Sequence, residues 1–199
     1  MKNGRNLALF DFDGTVTSKD SFLDLSVHIL GKCRFYLMCL KLFPFIVLYF
    51  LKIVSGKKLK EMFLTRMIKG MSEKEFDSIV CEYTEAKMPG ILKNSALIAI
   101  KTHRDRGDET VHVSASGEQW LKHFARNNGM ELIATKLEAV NGTFTGKIEG
   151  ENCYGPEKVR RIREIYDPAS FEHIFAYGDS EGDRDMLGIA DRKFYRYFK

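Results

Sequence analysis

Cysteine is scarce in this sequence, with four in 199 residues. Cys33, Cys39, Cys81 and Cys153 include no CxxC pair and no other zinc-ligand spacing, so they read as reduced thiols rather than a metal site. Excess charge of one sign is also lacking: 31 Lys and Arg stand against 27 Asp and Glu, a formal net charge of +4. That balance is too modest to argue for a nucleic-acid partner. The tight basic clusters, Lys57-Lys58-Leu59-Lys60 and Arg160-Arg161, read as solvated helix faces. There is no internal repeat and no low-complexity segment. Residues 1–6 run straight into an apolar stretch and leave no room for a signal peptide, so the expectation is a cytoplasmic protein. With 44% hydrophobic and 29% charged residues the chain is of ordinary globular composition. Its length suits one core domain with a sizeable insertion.

What is present begins at Asp11-Phe12-Asp13-Gly14-Thr15-Val16-Thr17. Leu7-Ala8-Leu9-Phe10 before it is short and apolar, the pattern of a buried strand. Gly14 permits a sharp exit, so both carboxylates fall at the strand's C-terminal end, where open α/β sheets bind ligands. Two acids this close repel unless a cation or a division of labour separates them. Asp11 as nucleophile, Asp13 as acid/base and a bound divalent cation supply both. The plainer reading is a simple turn, since Asp and Gly are common turn residues.

Residues 18–88 carry only helical periodicity. Asp20 and Ser21 offer capping oxygens, and Ser72 to Glu75 has the spacing of a capping box. Arg66 falls on the apolar side of the series Leu59, Met62, Phe63, Met67. Beyond Pro89-Gly90, strands alternate with helices: a helix over 91–106, a strand over 110–113, a helix over 118–128 and a strand over 131–137. Asn141-Gly142 is a hairpin dipeptide, so residues 143–148 should pair with a neighbour. A helix opened by Pro156, a strand over 171–177, a short helix over 184–190 and a last strand over 193–198 follow. The alternation implies a mainly parallel, three-layer sheet.

In such a sheet Asp11, Ser114, Lys158 and Asp179 share one edge. The Ser114 hydroxyl and the Ala115 N–H suit a phosphate oxygen; an unliganded N-cap is the alternative. Lys158 stands in the first turn of its helix, against the macrodipole, which suggests a phosphoryl group to neutralise; a solvent-facing lysine is the alternative. Asp179 and Asp183 follow a buried strand in a glycine-flanked loop and suit Mg2+; a loop of solvated acids is the alternative.

Together DFDGT, the VSAS serine, the YGPEK lysine and the GDSEGD acids resemble, in order and over nearly the whole chain, the four motifs of the haloacid dehalogenase superfamily. The likeness is to its subfamily IB phosphohydrolases, the phosphoserine-phosphatase-like branch. The resemblance implies an α/β fold with a Rossmann-like parallel three-layer sheet over residues 1–17 and 89–199, and an inserted all-helical C1-type cap over residues 18–88. It implies a magnesium-dependent phosphatase in which Asp11 is the nucleophile and a metal ligand. Asp13 is the acid/base and lends the metal its carbonyl. Thr15, Ser114, Ala115 and Lys158 hold the phosphoryl group, and Asp179 and Asp183 complete the Mg2+ site. Asp13 argues against the dehalogenases and transport ATPases of the superfamily. Asp20 stands near the place of a cap glutamate, and Arg66 answers to a cap arginine that grips the substrate. Where the branch carries a glycine pair after the serine, this chain has Ala115-Ser116. The substrate is therefore either a small phosphorylated metabolite such as phosphoserine or a lipid phosphate such as phosphatidylglycerophosphate. The alternative is a non-catalytic or membrane-associated binding protein that retains the fold.

One long apolar run breaks the ordinary composition: residues 35–54, opened by Phe35 and ended by Val54, and interrupted by Lys41, Pro44 and Lys52. It has the length of a membrane span. Asp11 precedes it, and Ser114, Lys158 and Asp179 follow it, so a single crossing would separate the nucleophile from its partners. The expectation is a helix broken at Pro44. Its surface would be buried in the cap core, covered by a second copy, or laid against the inner face of a membrane as a peripheral contact.

Overall fold

The computed structural model describes residues 4–199; the expectation about the first six residues falls partly on residues 1–3, outside that range. β1 (Leu7–Phe10) is buried at every position. Alternate side chains leave a strand on opposite faces, and here Ala8 and Phe10 enter one apolar cluster while Leu7 and Leu9 enter the other. This two-sided burial is why the segment is continuously apolar.

The strands run in the order β4-β3-β2-β1-β5-β6. β1 pairs in parallel with β2 (Glu109–Gly117) and with β5 (Ile174–Gly178). β2 pairs in parallel with β3 (Glu131–Val140), and β5 with β6 (Arg192–Tyr195). Among the strands of the described residues only β4 (Thr143–Glu149) is antiparallel, returning from β3 through Asn141 and Gly142, both at positive φ as a two-residue hairpin turn requires. Helices α5 (Asn94–Asp105) and α6 (Glu118–Asn127) contribute to the cluster around Phe10; α7 (Pro156–Ile165) and α8 (Arg184–Gly188) contribute to the one around Leu9. The result is the α/β three-layer architecture expected.

Ahead of α5, between β1 and β2, the described residues form four further α-helices, α1 (Ser21–Leu30), α2 (Lys32–Phe50), α3 (Gly56–Ile68) and α4 (Glu73–Ala86), and a 3-10 turn at Met88–Ile91. The chain leaves and re-enters the sheet at one place: Ser18 N–H donates to Ile91 O, and Lys93 N–H to Val16 O. The β3–β4 hairpin reaches over to these helices. Gly146, at φ +81°, lies so close to Thr65 that a Cβ would stand 2.4 Å from its Cα.

Several expectations are corrected. β2 runs on to Gly117, so Ser114, Ala115 and Ser116 belong to the strand itself. β5 begins three residues later than expected, after a 3-10 turn at Pro168–Ser170. α2 is unbroken, with Pro44 inside it on an exposed side. Nor is α2 a buried core helix, since only Phe35, Met38 and Leu42 are buried. Arg66 is not on the apolar side of α3: Phe63, Leu64, Met67 and Ile68 are buried, while Arg66 is exposed and donates to Met62 O at 3.0 Å.

Candidate active site

The Asp11 N–H donates to Tyr177 O at 2.9 Å, so the residue continues the edge of the sheet. Its side chain meets Lys158, whose Nζ donates to Asp11 Oδ1 and to Asp183 Oδ1, both at 2.6 Å. Lys158 is 1% exposed, which excludes a solvent-facing lysine. Burial alone would lower its pKa, but the two carboxylates win and hold it above the ordinary lysine value. Burial pushes the Asp11 carboxyl up to about 7; Lys158 pulls it back, and Asp183 and Asp13 add to the rise.

Asp183 is the settled anion of the group. Burial would raise its pKa, but Lys158 and the Ser180 hydrogen bonds hold it below the usual carboxylate range. Its Oδ2 accepts from the backbone N–H of Asp179 and Ser180 and from Ser180 Oγ at 2.8 Å. Asp179 is raised by burial. Arg196 Nε donates to its carbonyl at 3.0 Å, and Lys93 Nζ donates to Gly14 O at 2.5 Å, so cations fasten both loops of the site from outside. Gly14, at φ +80°, is required: a Cβ there would stand 2.4 Å from Asp179 Oδ2.

Asp11, Asp179 and Asp183 each offer a carboxylate oxygen, all within 4.8 Å of one another. Three carboxylates against one lysine leave uncompensated negative charge, and an all-oxygen donor set fits a hard divalent cation. The Asp13 carboxylate stands outside this trio. It accepts from Ser21 N–H at 2.6 Å and from Ser116 Oγ at 2.5 Å. Burial, then Asp20, raise its pKa, with Ser116 and Ser21 tempering the rise. Burial therefore shifts Asp13 toward its protonated form, while Asp11 is paired with an ammonium.

Asp11, Asp13, Asp20, Ser114, Ala115, Lys158 and Asp183 line one cavity of about 890 Å3. Ser114 is buried, its Oγ accepting from Ser116 N–H at 3.0 Å. Asp20 caps α1, accepting from Leu23 N–H at 2.9 Å. Three expected residues do not line it: Asp179 meets Asp11 and Asp183 in the carboxylate trio, and Thr15 and Arg66 lie elsewhere. The Thr15 hydroxyl is buried and donates to Asp179 Oδ1 at 3.1 Å, so it orients a carboxylate rather than facing the cavity. Arg66 does not line the cavity.

Lys60 stands where Arg66 was expected, one helical turn and a half earlier on α3. Its Nζ donates to Ala115 O at 2.6 Å and rests over the rings of Phe22 and Trp120. It belongs to the basic cluster that reads as solvated. Ser116 was visible only as a departure from a glycine pair, yet it is the residue that holds Asp13. Ser21 and Trp120 complete that contact, Trp120 Nε1 donating to Ser21 Oγ at 3.3 Å.

Residues 8–188 match the family model of the haloacid dehalogenase-like hydrolases. The chain belongs to that family. Protein CicA of Caulobacter vibrioides is 36% identical over 195 residues, covering 97% of this chain and 86% of that one. A probable phosphatase of Mycobacterium tuberculosis is 30% identical over 191 residues, covering 92% and 66% respectively. In structure, a protein of unknown function from Bordetella pertussis superposes with a TM-score of 0.84 at 24% identity, covering 96% of this chain and 89% of that one. A phosphoserine phosphatase solved as a phospho-aspartyl intermediate analogue superposes with a TM-score of 0.61 at 18% identity, covering 96% and 86%. The chain is a hydrolase with the phosphatase architecture of this family.

Proposed function

We propose that this hydrolase is a magnesium-dependent phosphomonoesterase working through an aspartyl-phosphate on Asp11. The observation that carries the reading is the division between the two aspartates of one cavity: Asp11 in contact with the Lys158 ammonium, Asp13 held by Ser21 and Ser116 where burial favours its protonated form. Asp11 Oδ1 is held by Lys158, and among the described residues no donor holds its second oxygen, which is the one to attack phosphorus. The phosphorus–alkoxide bond breaks as Asp13 gives its proton to the leaving alkoxide. Asp13, now a carboxylate, takes a proton from water as that water attacks the acyl phosphate, which releases phosphate and frees Asp11. Lys158 offsets charge on the transferring group throughout. Asp11, Asp179 and Asp183, with the Asp13 carbonyl, would hold Mg2+, which supplies further charge neutralisation.

In this reading residues 1–17 and 89–199 are the catalytic core and residues 18–88 a cap that supplies Lys60 and Asp20 over the cavity. The adjacent exit and re-entry at Ser18 and Ile91 support that division. The substrate is a phosphomonoester, either a small metabolite or a lipid phosphate, met on the cytoplasmic side. Asp11→Asn should abolish hydrolysis of an aryl phosphate and Asp13→Asn nearly so, with both variants folded. Chelation should silence the wild type and Mg2+ restore it. A wild type without turnover on any phosphomonoester would favour the binding-protein reading instead.

A further inference from the structure

Among the described residues α2 is the one helix long and apolar enough to cross a membrane. The fold forbids a single crossing: Asp11 precedes α2, Lys158 follows it, and their side chains touch at 2.6 Å. Yet the helix is tied to its neighbours mainly through Phe35, Met38 and Leu42. Tyr36, Leu40, Phe43, Val47 and Phe50 are all exposed. Their spacing of four, three, four and three residues puts them in one stripe along the helix. A stripe of this length facing water marks an interaction surface.

Charge selects the occupant. No acidic residue occurs between Asp24 and Glu61, while Lys32, Arg34, Lys41, Lys52, Lys57 and Lys58 do. Lys32 is exposed and falls in line with the stripe at its N-terminal end, four residues before Tyr36, while the exposed Arg34 and Lys41, seven residues apart, share the side of the helix turned away from it. The Lys32 stem can lie along apolar surface while its charge reaches a phosphate plane. Two copies meeting through this face would bring two cationic helices together with no acidic residue of this segment to pair them, which opposes self-association. The stripe is also continuous with the site, because Phe50 both ends it and lines the cavity of Asp11 and Asp13.

We propose that α2 lies in the plane of an anionic bilayer surface, its apolar stripe among the acyl chains and the mouth of the cavity at headgroup level. Docking follows from the surface alone. Its consequence, that a lipid phosphomonoester is the substrate class, rests on the phosphomonoesterase reading above.

The test is sedimentation of the full chain with vesicles of phosphatidylcholine, alone or mixed with phosphatidylglycerol, at low and high salt. The wild type should pellet with the mixed vesicles, much less with phosphatidylcholine alone, and less at high salt. Leu40→Asp/Phe43→Asp and Lys32→Glu should each lower the partition by about tenfold or more. Both should hydrolyse a soluble aryl phosphate at the wild-type rate, since none of these three residues lines the cavity. Absence of wild-type binding to anionic vesicles overturns the proposal. So does a wild-type dimer that the apolar double variant converts to monomer while vesicles bind neither. With phosphatidic acid in the vesicles, the wild type should release phosphate and the apolar variant should lose that release. A wild type that binds vesicles but leaves phosphatidic acid intact keeps the docking and overturns the substrate class. Failure on the aryl phosphate as well counts against the phosphomonoesterase reading alone.

Discussion

Lys60 Nζ lies 2.6 Å from the Ala115 carbonyl oxygen and donates to it. The contact joins α3 to the strand that carries Ser114, and it brings a cation from the inserted helices to the wall of the cavity. Burial lowers the Lys60 pKa, while Asp13 and Asp20 oppose the fall. The cation therefore belongs to the electrostatics of the acid/base and not to the surface.

Lys60→Met should lower kcat/KM on an aryl phosphate by about tenfold or more, the usual worth of a hydrogen bond made by a charged group. Arg66→Ala should change it by less than about twofold, as expected for an exposed side chain away from special features. Steady-state kinetics of the two variants side by side decides which cation serves the site. Equal losses would contradict the assignment of Lys60.

Ser116→Ala removes the hydroxyl that donates to Asp13 at 2.5 Å. The expected result is a kcat reduced by about tenfold, with KM little changed, because the contact orients the proton donor rather than the substrate. Ser116→Thr keeps the hydroxyl and should recover part of the rate. A loss confined to KM would contradict this role.

The fold was legible where local pattern and tertiary context agree. The apolar β1, the Asn141-Gly142 turn and the proline start of α7 each carry a local physical cause, and each lies where the sequence points. The convergence of Asp11, Ser114 and Lys158 on one cavity was legible for the same reason, since strand ends of a parallel sheet share an edge; Asp179, expected with them, meets Asp11 and Asp183 without lining that cavity. The inserted helices were not. Helical periodicity near Arg66 fits more than one rotation of α3, and only the packing of Phe63 and Met67 fixes the one that turns Lys60 inward and Arg66 out. The exposure of α2 was hidden likewise, because an apolar helix reads the same whether it is covered or bare. The Thr15 hydroxyl went to Asp179, a partner 164 residues away that no local signal names.

His112 is fully buried between Phe10, Phe12 and Phe124. Burial pushes its pKa down to about 3 from an ordinary 6.5. The unfolded chain therefore binds this proton first, and the stability tied to neutral His112 is complete above the ordinary value and lost as pH falls from there toward 3. His112→Phe should remove that component, so its Tm should fall less than the wild type's between about pH 7 and about pH 5. Parallel slopes for the two proteins in thermal melts would contradict the assignment.

Gly14→Ala adds a Cβ that would press on the Asp179 carboxylate, at a φ of +80° that alanine adopts poorly. The variant should need a higher Mg2+ concentration for half-maximal activity, with a lower maximal rate. Titration of Mg2+ into chelator-treated enzyme measures both. An unchanged Mg2+ requirement would separate Asp179 from the metal.

The central claim is that phosphorus is transferred to Asp11. Acid-quenching the enzyme during turnover of a radiolabelled phosphomonoester, then measuring label on the protein, tests it most directly. The account predicts an acid-stable, hydroxylamine-labile label that maps to the peptide containing Asp11 and is absent from Asp11→Asn. Turnover with no label on the protein, or an Asp11→Asn variant that hydrolyses substrate near the wild-type rate, would contradict it.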